Sequence, residues 1–201
     1  MSWSRKWKVK MVLDCTYRLP GPLATSILLD EGHEVIRIEH LKKKDPFSTS
    51  KLPGVRSWYR KFNDGKKLYS LDENELNLFV KKYKHSIQAA VVDSSSPFLP
   101  IFKKNSVKHV VICSSRKIKR PMHDLDILAE TGYFNDNSKI PELPFVGMLF
   151  AKKIITEFYK LFFFEKSETK VLQEETLKFL SKVNLPTEER FFSGKVIGYN
   201  R

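Results

Sequence analysis

"VLDCTYRLPGPLATSILLDEGHEVIRIEH", Val12 to His40, decides the fold. The short apolar run "VLDCT" breaks off at "YRLPGP". Pro22 then stands ready for a first helical position, Leu23, Ile27 and the neighbouring leucines make a core stripe, and Gly32 supplies a left-handed stop. "VIRIE" resumes a strand pattern. Strand, loop, helix, glycine and strand together form one βαβ unit, whose two strands are parallel because a helix joins them.

The same alternation continues outward. "KKLYSLD" reads as a strand, "ENELNLFVKKYK" as a helix, "AAVVD" as a strand and "HVVICS" as another. "AAVVD" and "HVVIC" show no polar alternation, so both of their faces are covered. The fold class is therefore α/β: a Rossmann-like, mostly parallel, doubly wound sheet with C-terminal helices. From about Pro144 to Glu165 runs one long helix rich in Phe, and "LQEETLKFLSKV" reads as a second. The expected layout is a single domain over residues 1–201, with a βα core over about 1–120, a helical segment over about 123–182 and a tail over 183–201.

With 41% hydrophobic and 29% charged residues in a chain of 201, a genuine core can be buried. Lys and Arg outnumber Asp and Glu by 36 to 23, a net charge of +13 that concentrates polyanions of any kind. Cys15 and Cys113, each near the end of an apolar run, suit a reduced intracellular protein better than a disulfide framework. The basic start "MSWSRKWKVK" is followed by too short an apolar run for a signal segment, and Glu157, Lys160 and Glu165 interrupt the most apolar later stretch. The expectation is a cytoplasmic protein without a membrane span and without a metal.

In an open parallel sheet, ligands bind beyond the carboxyl ends of the strands. Those positions here hold "YRLPGP", "HLKKKD", "SSSP" and "SSRKIKR", which gather basic and hydroxyl side chains along one edge beside a Pro-Gly-Pro entry to a helix. That is a seat for phosphates. The alternatives are a solvated loop for Lys42, Lys43 and Lys44, and a charged hairpin for "RKFNDGKK", turning at Asp64-Gly65. No G-x-G-x-x-G or Walker signature occurs, which disfavours an ordinary dinucleotide or P-loop site.

"VLDCTYRLPGPLATSILLDEGHEVIRIEH" resembles the opening of the class III CoA-transferase family, which includes formyl-CoA transferase and α-methylacyl-CoA racemase. "FNDGKKLYSLD" is similar to the family's N-x-x-K-x-S-x-x-L-D segment, and "HDLDILAETG" to the racemase branch's H-D-I-N-Y-L-A-L-S-G. The resemblance implies a large domain that binds CoA or acyl-CoA along the edge just described. It implies interlocked dimers and a second, smaller domain after the equivalent of "GKVIGYNR", where this sequence stops, so that a homodimer or a partner chain would complete the protein. Its CoA-contacting loop falls on Arg18, Leu19 and Pro20, its basic residue after the second strand on His40, and its leucine beside the nucleotide on Leu71. Lys42 joins these from the basic cluster. The family's E-N-F turn is replaced by Asp93, Ser94 and Ser95, where the two serines can still offer hydroxyls to a phosphate.

"PMHDLDILAETG", residues 121–132, places His123 where the racemase branch has one of its two proton-exchanging groups, with Asp124 as a cap or charge partner. The other group in the family is an aspartate that also serves the transferases as nucleophile. Aligning "IPELPFVGM" puts that position at Gly147, which has no side chain to carry a proton or an acyl group. A purely structural account of this stretch also stands: Asp124 or Asp126 starts a helix, Leu125, Leu128 and Ala129 bury its face, and Gly132 ends it.

The sequence thus points to a truncated or divergent class III CoA-transferase-like or racemase-like protein whose catalysis is impaired or depends on a partner chain. The alternative is a nucleic-acid-binding or scaffold protein, since aromatics lie among basic residues in "WSRKWK" and "RSWYRKF". "FYKLFFFEK" is either an interface or a helix buried in its own domain.

Overall fold

A computed structural model describes residues 11–113, Leu128, 144–172 and Glu175. The chain divides into two compact units, residues 1–112 with 151–171, and residues 113–150 with 172–201.

The first unit is built on a six-stranded sheet. In chain order the elements are β1 (Met11–Cys15), α1 (Pro20–Asp30), β2 (Glu34–His40), α2 (Pro53–Asn63), β3 (Lys67–Leu71), α3 (Glu73–Tyr83), β4 (Ile87–Asp93), α4 (Leu99–Lys104), β5 (His109–Cys113), α5 (Phe145–Phe163) and β6 (Glu168–Leu172). The strands lie in the order β3-β2-β1-β4-β5-β6. Each pairing between β3 and β5 is parallel, with Leu13 opposite Ile36 on one side and Ala90 on the other. All five residues of β1 are buried, as a central strand covered on both faces requires. Helices α1 and α2 pack together, and so do α3 and α4.

Local chemistry sets the helix ends. Pro20 and Pro22 both sit in the first turn of α1, which starts two residues before the position read from the sequence. Gly32 takes φ 92°, and the Gly32 and His33 amides bond back to the Leu29 and Leu28 carbonyls at 2.9 and 3.1 Å. α3 begins with a reciprocal cap: Glu75 N–H donates to Asp72 Oδ1 at 2.8 Å, and Asp72 N–H donates to Glu75 Oε2 at 2.9 Å.

Two elements differ from the sequence reading. The "RKFNDGKK" stretch is not a hairpin: residues 53–63 are helix α2, and Gly65, at φ 75°, turns the chain into β3. The segment expected to be helical over 123–182 contains β6, in which Thr169, Val171 and Leu172 are buried while Lys170 is exposed. Pairing beside β5 favours these residues as a strand: the His109 amide donates to the Ser167 carbonyl at 3.0 Å, and His109 Nε2 lies 3.0 Å from Glu168 Oε2. The long Phe-rich helix is α5, much as expected. It buries Phe158 and Leu161 but leaves Phe163 81% exposed, with Phe164 just beyond it 66% exposed, so its apolar face is divided between core and solvent.

Candidate functional site

The strand order reverses direction between β1 and β4, and there the two connections leave on opposite faces, opening a crevice at the carboxyl ends. The loop after β1 is anchored across this point. Three successive backbone amides donate to three carboxylates: Thr16 to Asp14 Oδ1 at 3.2 Å, Tyr17 to Asp93 Oδ2 at 2.9 Å, and Arg18 to Asp45 Oδ2 at 3.0 Å. Arg18 holds φ 66°, a left-handed conformation that costs a non-glycine residue roughly 1 kcal/mol or more. Its amide bond to Asp45 helps keep it there. Gly21 lies against the same loop, with Thr16 Oγ1 only 2.2 Å from where a Cβ would stand.

Beneath the loop is a buried ionic cluster. Arg37 on β2 reaches Asp14 Oδ1 at 3.0 Å, Asp45 Oδ2 at 2.6 Å and Glu39 Oε1 at 3.6 Å. Its Nε, fully buried, has no acceptor. Lys66 Nζ lies 3.0 Å from Asp14 Oδ2 and donates to the Pro22 carbonyl at 2.9 Å. The hydroxyls of Thr16 and Thr25 each donate to Asp14 at 2.6 Å. Burial by itself would raise the Asp14 carboxyl, but Arg37, Lys66 and the two hydroxyls hold it well below the usual carboxylate range. Burial pushes the Lys66 ammonium down. The cluster ties β1, β2, α1 and the turn before β3 into one rigid base.

Asp93 behaves differently. Half-buried at the end of β4, it has no cation in direct contact among the described residues, and burial pushes its carboxyl up to about 7, with the charges of Asp14 and Asp45 adding to the effect. A carboxyl poised near neutrality at a sheet switch point is chemically suited to exchange a proton. The sequence reading treated Asp93 only as a departure from a family turn; its position as the last residue of an apolar strand was the available signal.

The rim residues are brought together by topology. Arg18, Leu19 and Pro20 follow β1, His40 ends β2 with Lys42 beyond it, Leu71 ends β3, and Ser94 and Ser95 follow β4, all at the carboxyl edge. Their side chains play unequal parts. Leu19 is buried as part of the core, whereas Lys42, Ser94 and Ser95 are exposed. His40 accepts the Lys42 amide at Nδ1 (3.1 Å), leaving Nε2 as its protonated nitrogen, 3.3 Å from Glu73 Oε2, with its ring 5.6 Å from that of Phe98. It shapes the turn after β2. The Ser94 amide donates to the Ile112 carbonyl at 2.8 Å, so only its hydroxyl is left for a ligand. The expected phosphate seat at the α1 N-terminus is poor in donors: Pro20 and Pro22 have no N–H, and the Leu23 amide is bonded to the Leu19 carbonyl at 3.0 Å. Cationic side chains must hold an anion here. His123 and Asp124 lie outside the described residues. Gly147 falls near the start of α5, whose first turn contains no acidic residue. Among the described residues, no group of three His, Cys, Asp or Glu side chains could hold a metal, and no helix is long and apolar enough to cross a membrane.

Residues 10–76, which carry β1, α1, β2, α2, β3 and the start of α3, match the model of CoA-transferase family III. Over these residues the N-terminal part of the chain is similar to that family. A likeness in fold to solved structures extends further. A hypothetical protein of Mycobacterium tuberculosis, Rv3272, superposes with a TM-score of 0.70 at 17% identity, over 88% of this chain and 57% of its own. A CaiB/BaiF family protein from Brucella suis superposes at 0.65 with 13% identity, over 88% of this chain and 54% of its own. This chain spans a little over half the length of the structures it matches. No curated protein sequence matches it.

Proposed function

We propose that the chain binds CoA or an acyl-CoA thioester at the carboxyl rim of its sheet, as a divergent class III CoA-transferase-like or 2-methylacyl-CoA racemase-like protein. One observation carries this: Arg18, His40, Lys42 and Leu71, in the segment that matches the family, share with Ser94 and Ser95 the edge at which the strand order reverses. Arg18 and Lys42 supply charge for the phosphates, Pro20 and Leu71 supply apolar surface beside the nucleotide, and the Ser94 and Ser95 hydroxyls are donors. His40 and Leu19 act by positioning the loops.

Catalysis in this reading is impaired or completed from elsewhere. Acyl transfer needs a carboxylate nucleophile, and racemisation needs an acid/base on each face of the enolate. Gly147 provides neither. His123, with Asp124 beside it, is the candidate for one of the two proton positions, and a second copy or a partner chain is the candidate source of the other. With two cysteines and no need for disulfides, the reducing cytoplasm is its proposed compartment.

The test is calorimetric titration with CoA and acyl-CoA, followed by exchange of the α-proton of 2-methylacyl-CoA in heavy water. Saturable binding without exchange is the expected result. Exchange abolished by His123→Ala would show that the racemase chemistry survives. If neither thiol nor thioester binds, while an oligonucleotide binds in a salt-sensitive manner, the rim serves nucleic acid and the CoA reading is wrong.

A further inference from the structure

A cavity of about 400 Å³ lies against α2, lined by Ser48, Arg56, Tyr59 and Arg60. None of these residues belongs to the rim set above. Arg56 and Arg60 are one helical turn apart, so their guanidinium groups share a face of α2. Both residues are exposed, and neither guanidinium has a hydrogen-bond or ion-pair partner among the described residues. Like charges at this spacing weaken a helix unless an anion lies between them. Among the described residues none does so: Glu39 and Asp45, the nearby buried carboxylates, are already bonded to Arg37.

The hydroxyls around the cavity are committed as well. Ser48 Oγ donates to the Asp45 carbonyl at 2.7 Å, and Tyr59 OH donates to Glu39 Oε1 at 2.8 Å. The donors left for a ligand are therefore the two guanidinium forks. A carboxylate is satisfied by one fork, whereas a phosphate has enough terminal oxygens to accept both. A half-open hollow of this size admits a phosphate and part of the molecule that bears it. We propose that Ser48, Arg56, Tyr59 and Arg60 form a binding site for the phosphate group of a small phosphorylated molecule. Tyr59, fixed through Glu39 to the Arg37 cluster, gives the site a rigid wall.

The phosphate can belong to a separate metabolite or to CoA itself, and the test separates these sources. Arginine Nε–H resonances of the full chain are followed by nuclear magnetic resonance during titration with inorganic phosphate, with acetate and with chloride at matched ionic strength. Phosphate should shift two arginine signals saturably, those lost in Arg56→Gln and Arg60→Gln, with acetate several-fold weaker. The double variant should weaken phosphate binding at least roughly tenfold with an unchanged melting temperature. Phosphate binding that persists under saturating CoA identifies a separate ligand. Competition, with CoA weakened by the same variants, places a CoA phosphate in the cavity. A shift that does not saturate, an equal response to chloride, phosphate affinity retained in the double variant, or an oligonucleotide that needs these arginines where phosphate does not bind, each overturns the proposal. Because inorganic phosphate is the probe, failure here leaves CoA binding at the rim to be judged by its own titration.

Discussion

The Tyr17 amide donates to Asp93 Oδ2 at 2.9 Å, joining the loop after β1 to the end of β4 across the point where the strand order reverses. The acceptor is a carboxyl that burial raises to about 7. An aspartate in the unfolded chain titrates near ~3.9, so the folded protein binds this proton more tightly. The stability it contributes is complete below about pH 4 and is lost as pH rises through 7. Asp93→Asn keeps an oxygen to accept the Tyr17 amide and removes the titration. Urea unfolding should show the wild type falling relative to this variant by roughly 2–4 kcal/mol between pH 5 and pH 8. A constant difference would mean that Asp93 is ionised throughout.

Asp14 presents the opposite case. Its carboxyl is held ionised by Arg37 and Lys66, so its contribution is lost only in strong acid, well below the usual carboxylate range. Asp14→Asn leaves two buried cations facing an amide. It should cost about 3–5 kcal/mol at neutral pH, measured by chemical denaturation.

Arg18→Gly separates backbone from side chain. Glycine accepts the left-handed φ of 66° without strain, which offsets the greater freedom of its unfolded chain. The melting temperature should stay within a few degrees, while CoA affinity falls by roughly five- to tenfold with the loss of one charged phosphate contact. Calorimetry reads both in one sample series.

Gly21→Ala tests the close approach between α1 and its loop. The new methyl would meet the Thr16 side chain at 2.2–2.8 Å, and Thr16 is buried while donating to Asp14. The expected loss is about 1–3 kcal/mol in urea unfolding, partly recovered when Thr16→Gly makes room.

How far the sequence was legible depended on whether a signal was local. β4 and β5 were readable because continuous apolar runs imply burial on both faces, β1 and β2 because a punctuated helix joins them, and the rim followed from parallel topology. Helix α2 was hidden because Gly54 and a dense set of Arg, Lys and aromatic residues precede the Asp64-Gly65 pair, which reads as a hairpin turn. β6 was hidden because "EKSETK" is too charged to mark a strand until β5 is beside it. Asp14 did carry a signal as the lone charge within an apolar strand, and Arg37 as a charge between two isoleucines, yet their further partners Asp45 and Lys66 become neighbours only in the fold. The same limit applied to His40: its identity was visible, but its engagement by the Lys42 amide was not.

The amides of Thr16, Tyr17 and Arg18 are claimed by residues 14, 93 and 45, which the chain supplies at widely separated stages of its length. No early fragment can complete that set. The turn that presents Arg18 therefore acquires its final shape only when β4 docks, making it among the last parts of the sheet to mature and tying the birth of the rim to the completion of the whole scaffold. Hydrogen exchange at Tyr17 should accordingly wait for release of β4, so that a short stretch of surface loop reports on the cooperativity of the entire unit.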